Sequence, residues 1–138
     1  MSARLLALFS SVLLAALPLA AHHPFSAEYD WTKPVTVTAT VTQFDWSNPH
    51  AHVIANVKDS AGKPATWTFE MGNLDALKKA GWDKTTIKAG DTITVDAWMA
   101  KAKTNMANVK SIRLANGREL SGASSILDIS PSKTSTSN

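Results

Sequence analysis

The chain has 138 residues, with 14 Lys plus Arg against 11 Asp plus Glu and a formal net charge of +3 when its histidines are neutral. That excess is too mild and too evenly spread to argue for a nucleic-acid partner. Cysteine is absent, which excludes a disulfide framework, a thiolate nucleophile, a cysteine metal site and a lipid-attachment cysteine.

Residues 1–21 read as an export signal. Arg4 supplies a positive start, and LLALFSSVLLAALPLAA (5–21) is an apolar run ending in small residues. The run is short for a membrane span, which needs about 20 apolar residues, and Pro18 interrupts its end. A periplasmic or secreted protein without membrane attachment after cleavage is expected; a retained N-terminal anchor is the alternative. Cleavage after Ala21 is favoured, with cleavage after Ala20 the competitor because Leu19 is bulky for its position.

An arm, HHPFSAEYDWTK (22–33), follows without a clear period. The body, 34–120, opens with VTVTATVTQF (35–44), whose alternation is that of a half-buried strand. Ser-Asn-Pro turns the chain, since Pro49 biases Asn48 away from helix. HAHVIANVK (50–58) and ATWTFEM (65–71) alternate again around a tight DSAG turn, with Asp59 first and Gly62 fourth. NLDALKKAGW (73–82) reads as a short helix: Asn73 caps it, Asp75 lies in the positive first turn, Lys78 and Lys79 near the negative end, and Gly81 stops it. AGDTITVDAWMA (89–100) is the fourth strand and NVKSIRL (108–114) the fifth, its phase breaking around Ser111 as at a bulge. Asn116-Gly117 makes a hairpin turn into a short last strand. The tail, 121–138, is Ser/Thr-rich and is expected to be mostly disordered.

Three strands, a helix and two strands is the order of the OB-fold. The expected class is therefore mostly β: a small OB-fold-like five-stranded antiparallel barrel with one short helix between strands 3 and 4. An open antiparallel sheet with a helix packed across it is the alternative. The barrel is favoured because every strand has one apolar and one polar face.

The register of the second hairpin follows from its turn. If 60–62 form the loop, Asp59 faces Lys63. Val57 then meets Ala65, Ala55 meets Trp67, Val53 meets Phe69 and Ala51 meets Met71, apolar with apolar throughout. A shift of one residue would mismatch the faces. The same register sets His52 across from Glu70, with His50 beside them.

All 4 histidines fall in two close pairs, His22 with His23 and His50 with His52. Two residues apart on a strand, His50 and His52 share a face about 6.6 Å apart and can close on one metal ion. Glu70 is then either an oxygen ligand or an orienting partner of a histidine. A cut after Ala21 would give His22 a free amine beside its imidazole. With one further histidine this becomes a three-nitrogen copper site of the histidine-brace type. A cut after Ala20 gives Ala-His-His, in which His23, the amine and two amides enclose copper or nickel in a plane. Nitrogen-rich planar surroundings suit copper best, with nickel or zinc less favoured. Against this stands the ordinary reading, in which strand histidines face water and His-His-Pro is a polar spacer.

The runs HHPFSAEYD, FDWSNPHAH, WTFEMG, LKKAGWDKTTIKAGDTITV and NGREL resemble a family of small exported bacterial proteins known only as a domain of unknown function. The likeness spans residues 22–122. The family pattern has a His-His mature start, Trp-x-Asn-Pro-His, Trp-x-x-Glu and Gly-Trp. These correspond here to His22 and His23, Trp46 to His50, Trp67 to Glu70, and Gly81 with Trp82. Pro24 stands where the family usually has serine, and His52 where it is commonly aromatic. The resemblance implies no activity.

The first expectation is therefore a periplasmic protein that binds a transition metal, copper foremost, through His22, His23, His50, His52 and Glu70. The second is an OB-type module binding a small ligand, a glycan or a partner protein without metal. It would use the face of strands 2 and 3, with Trp46 on that face. Catalysis is the least favoured class: no Ser-His-Asp spacing is recognisable, although Asp45, Glu70 and the histidines could do acid–base work.

Overall fold

A computed structural model describes residues 25–102 and 104–124. The expected export signal, His22, His23 and the tail from residue 125 lie outside the described residues. The elements in order are α1 (Phe25–Glu28), β1 (Tyr29–Asp45), β2 (His52–Lys58), β3 (Pro64–Glu70), α2 (Leu74–Lys79), β4 (Thr92–Ala100), β5 (Met106–Arg113) and β6 (Glu119–Ser121). Among the described residues no helix is long and apolar enough to cross a membrane.

The strands form one six-stranded sheet in the order β3-β2-β1-β4-β5-β6, and a β3–β5 pairing closes a ring of hydrogen bonds. The short last strand expected after Asn116-Gly117 is Glu119–Ser121, which pairs with β5 and brings the count to six rather than five. The closing β3–β5 contact is parallel, which corrects the expected all-antiparallel arrangement. The parallel pairing follows from connectivity: after β3 the chain passes through α2 and β4, so β5 returns in the direction of β3. The helix between β3 and β4 stands where the sequence places it.

Period-two alternation accounts for the core. Ala39, Val41, Val53, Ala55, Phe69, Val95, Ala97, Val109 and Ile112 are all buried in one cluster. β1 serves both neighbours, pairing with β4 from Pro34 to Thr40 and with β2 from Ala39 to Asp45. Its register shifts between Val41 and Gln43, so Thr42 is the extra residue of a bulge. After that bulge Phe44, not Gln43, turns toward the core. The phase break expected near Ser111 is also a register shift, with Asp96 opposite Ser111 and Ala97 opposite Val109.

The DSAG turn closes as its residues require. Gly62 N–H donates to Asp59 O at 2.9 Å, and the Asp59 side chain accepts from the amides of Ala61 and Lys63, each at 2.9 Å. Gly62 takes a φ of 78°, which a side chain would strain. Asn73 caps α2 by accepting from Ala76 N–H at 2.9 Å. Asn48, in the turn before β2, accepts from Leu74 N–H at 3.0 Å. The helix start and the His-containing turn are thereby tied together.

The arm is more ordered than its lack of period suggests. Residues 25–28 form a helical turn, and β1 begins at Tyr29 rather than near residue 35. Phe25 and Tyr29 are buried, whereas Trp31 is 64 % exposed.

Candidate functional site

The β2–β3 register is the one the turn dictates. Val57 faces Ala65, Ala55 faces Trp67, Val53 faces Phe69 and His52 faces Glu70. The ladder continues one residue beyond β2. Ala51 N–H donates to Gly72 O at 3.1 Å, and Met71 N–H donates to Ala51 O at 2.8 Å. These bonds hold the backbone extended through Ala51, whose side chain is buried. His50 and His52 therefore fall together on the opposite, outer face.

Both histidines meet Glu70. His50 Nδ1 lies 3.1 Å from Glu70 Oε1 and His52 Nε2 lies 3.9 Å from Oε2. The histidine side chains are part-exposed while the carboxylate is nearly buried. Two neutral donors reach the carboxylate from elsewhere in the chain: Tyr29 Oη donates to Oε2 at 2.9 Å, and Asn108 Nδ2 donates to Oε1 at 3.4 Å. Among the described residues no lysine or arginine stands within ion-pair distance of Glu70.

A row of side chains crosses the outer face. Asp45 faces His52, His52 faces Glu70, Glu70 faces Asn108 and Asn108 faces Trp98, on β1, β2, β3, β5 and β4 in turn. Asp45 accepts from Ser47 Oγ at 2.8 Å. The far end of the row lies under the N-terminal segment. The Phe25 ring packs 5.3 Å from that of Tyr29 and 5.6 Å, edge-on, from that of Trp98. Lys101 fastens the same segment: its amide donates to Glu28 O at 2.8 Å and its Nζ to Ser26 O at 2.7 Å.

Burial drives the Tyr29 phenol far above its ordinary range, and the neighbouring Glu70 charge and the hydrogen bond to it push the same way. The phenol therefore stays a donor. Asn108 is oriented by the carboxylate too, since reversing its amide would set oxygen against oxygen. Its Oδ1 is buried and has no hydrogen-bond partner among the described residues.

The residues singled out in the sequence are thus divided. His50, His52 and Glu70 come together. Trp46 is part of an aromatic cluster against the core, 5.5 Å from Phe44, which in turn lies 5.9 Å from Trp82. His22 and His23 lie outside the described residues. Among the described residues no group of three or more His, Asp or Glu is arranged to hold a metal ion. Sequence reasoning missed Asn108 and the hydroxyl of Tyr29 as partners of Glu70. Neither contact follows from local periodicity, because each joins segments about 40 positions apart. A cavity beside α2, lined by Asn73, Asp75, Lys79, Ser121 and Ser124 among others, contains none of the histidines.

No curated protein and no solved structure matches the chain. A family model does match, over residues 10–108, a stretch that takes in both histidine pairs, the Trp-x-Asn-Pro-His turn and Glu70, and the chain belongs to that family of unknown function, DUF6152.

Proposed function

We propose that this is an exported protein of the periplasm that binds a transition metal, copper foremost, through the strand histidines and the histidines at the mature chain start. The observation that carries the reading is Glu70, a nearly buried carboxylate whose close neighbours are two histidines and two neutral donors. A carboxylate withdrawn from water calls for a compensating cation. Glu70 beside Nδ1 of His50 favours the tautomer that carries its proton there, leaving the Nε2 lone pair for a metal. On this reading Glu70 orients a ligand, and His50 is the first donor of the set with His52 next to it.

The missing donors come from the chain start. His22 stands three residues before Phe25, and three residues of extended chain span about 11 Å. Phe25 packs on Tyr29 and Trp98, at the far end of the row that holds Glu70 and His52, and on this reading the chain before it supplies the amine and imidazole donors. Copper suits such a nitrogen set, ahead of nickel and zinc. The ring of strands with its helix between β3 and β4 supports the finer reading of the fold as OB-like. In such folds ligands bind across strands 2 and 3, the strands that carry His50, His52 and Glu70. A metal-free small-molecule, glycan or protein ligand at the same face is the second reading.

Protein recovered from the periplasm, its start established by intact mass, is titrated with copper, nickel and zinc. A copper site tighter than micromolar, lost in His50→Ala, is expected. No such site in protein with an authenticated start overturns the metal reading. Quenching of tryptophan fluorescence by a ligand in metal-free protein would then favour the second.

A further inference from the structure

We propose that Lys33, Pro34 and the bulge that precedes them guard an open edge of β1, and that this guard keeps one copy of the protein from adding its first strand to that of another. The inference is independent of what the histidine face binds.

β1 stands between β2 and β4 in the strand order, yet only its second half has a partner on both sides. Pairing with β4 runs from Pro34 to Thr40, whereas pairing with β2 begins at Ala39, because β2 ends at Lys58 and turns into β3. Among the described residues, the start of this stretch, at Pro34 and Thr36, is therefore paired on one side alone. Which backbone groups are left open follows from Val41. Its N–H donates to Asp91 O and its carbonyl accepts from Gly90 N–H, each at 2.8 Å, on the side of the chain entering β4. Backbone groups alternate in direction along an antiparallel strand, and the β1–β4 register is unbroken from Pro34 to Thr40. Val35 and Val37 thus turn theirs to β4, and Pro34 and Thr36 turn theirs to the open edge. A strand tolerates proline only there.

An open edge at this place is a hazard. VTVTATVT (35–42) is β-branched or small throughout and carries no charge, a composition that pairs readily with a second strand. Trp31, 64 % exposed, stands just before it. Three features oppose such pairing. Pro34 removes a donor from the edge. Lys33, its side chain 70 % exposed, sets a charge beside it. Between the Tyr29–Ala100 and Pro34–Trp98 pairs, β1 takes five steps against two on β4, so three extra residues bulge from the ladder. The bulge is a built turn: the Asp30 carboxylate accepts from Thr32 N–H at 3.0 Å and from Thr32 Oγ1 at 2.6 Å, and lies 3.8 Å from Lys33 Nζ. A charge, a proline and a bulge are means by which exposed strands avoid edge-to-edge association.

The test compares the mature wild type with Lys33→Thr/Pro34→Val by light scattering over a dilution series, with hydrogen exchange read at single amides. In the wild type the mass stays that of one chain, and the Thr36 amide exchanges fast while those of Val35 and Val37 exchange slowly. In the variant the mass is expected to double as concentration rises, and the Thr36 amide becomes slow over the same range. A folded variant that keeps the mass of one chain at every concentration, or one that doubles with Thr36 still fast, overturns the guard. A slow Thr36 amide in the wild type overturns it too, since the edge would then already be covered. If the double variant fails to fold, Pro34→Val alone is read in the same way, with unchanged mass as the overturning result.

Discussion

The hydroxyl of Tyr29 donates to Glu70 Oε2 at 2.9 Å across 41 positions of sequence, and both residues are buried. This bond places the start of the first strand over the end of the third. It also makes the phenol and the carboxylate dependent on each other, since each is removed from water by the other's segment.

Tyr29 is the protein's single tyrosine, so its ionisation can be followed without interference from another phenol. Its folded value is raised above the ordinary 10.0, by burial first and by Glu70 second. A group raised on folding contributes stability that is fully present below its unfolded value and is lost as pH rises toward the folded one. The phenolate absorbance band is therefore expected to stay absent through the ordinary tyrosine range and to appear together with alkaline unfolding. A reversible titration near the ordinary value in folded protein would contradict the buried bond.

Glu70 serves donors that have no other partner described. Glu70→Leu leaves the Tyr29 hydroxyl and the Asn108 amide buried and unsatisfied. A stability loss of about 1–3 kcal/mol for each such group is expected, measured by chemical denaturation. Glu70→Gln keeps an acceptor oxygen and is expected to lose less. Equal losses in the two variants would show that hydrogen bonding at this position is not what holds the segment.

Gly72 closes the ladder that aligns the two histidines. Its carbonyl accepts from Ala51 N–H and its own N–H donates to Gly122 O at 2.8 Å. A Cβ there would collide with the backbone carbonyl of Ala123, which has no flexible end to move aside. Gly72→Ala is expected to cost about 1–3 kcal/mol by overpacking, read as a lower denaturation midpoint. At Gly90 the same substitution meets nothing within 4 Å, so any loss there comes from its φ of 92° alone. An unaffected Gly72→Ala protein would place the 122–124 segment elsewhere.

Trp46 shows how a single backbone irregularity moves a side chain from one face to the other. Plain alternation from Val41 turns residue 43 toward the core and leaves Trp46 outward, on the histidine face. The bulge at Thr42, whose Oγ1 donates to Ile54 O at 3.0 Å, inserts one residue and reverses every position after it. Phe44 and Trp46 then pack inward. Threonine at position 42 looks like the other threonines of the run, so nothing local marks it as the extra residue.

The sequence by itself determined the β2–β3 hairpin and, through it, the meeting of His52 with Glu70. A short turn anchored by Asp59 and Gly62, joined to two strands of strict period two, admits one register that buries every apolar side chain. It also determined the capped helix after β3 and the bulge near Ser111, each written in neighbouring residues. The tertiary structure alone decided what else reaches Glu70. Asn108 comes from 38 positions away through the parallel β3–β5 closure, and Tyr29 from 41 positions away through the seated arm. Contacts at such separation depend on how the whole sheet closes, and neither strand's own pattern of polar and apolar residues encodes its partner.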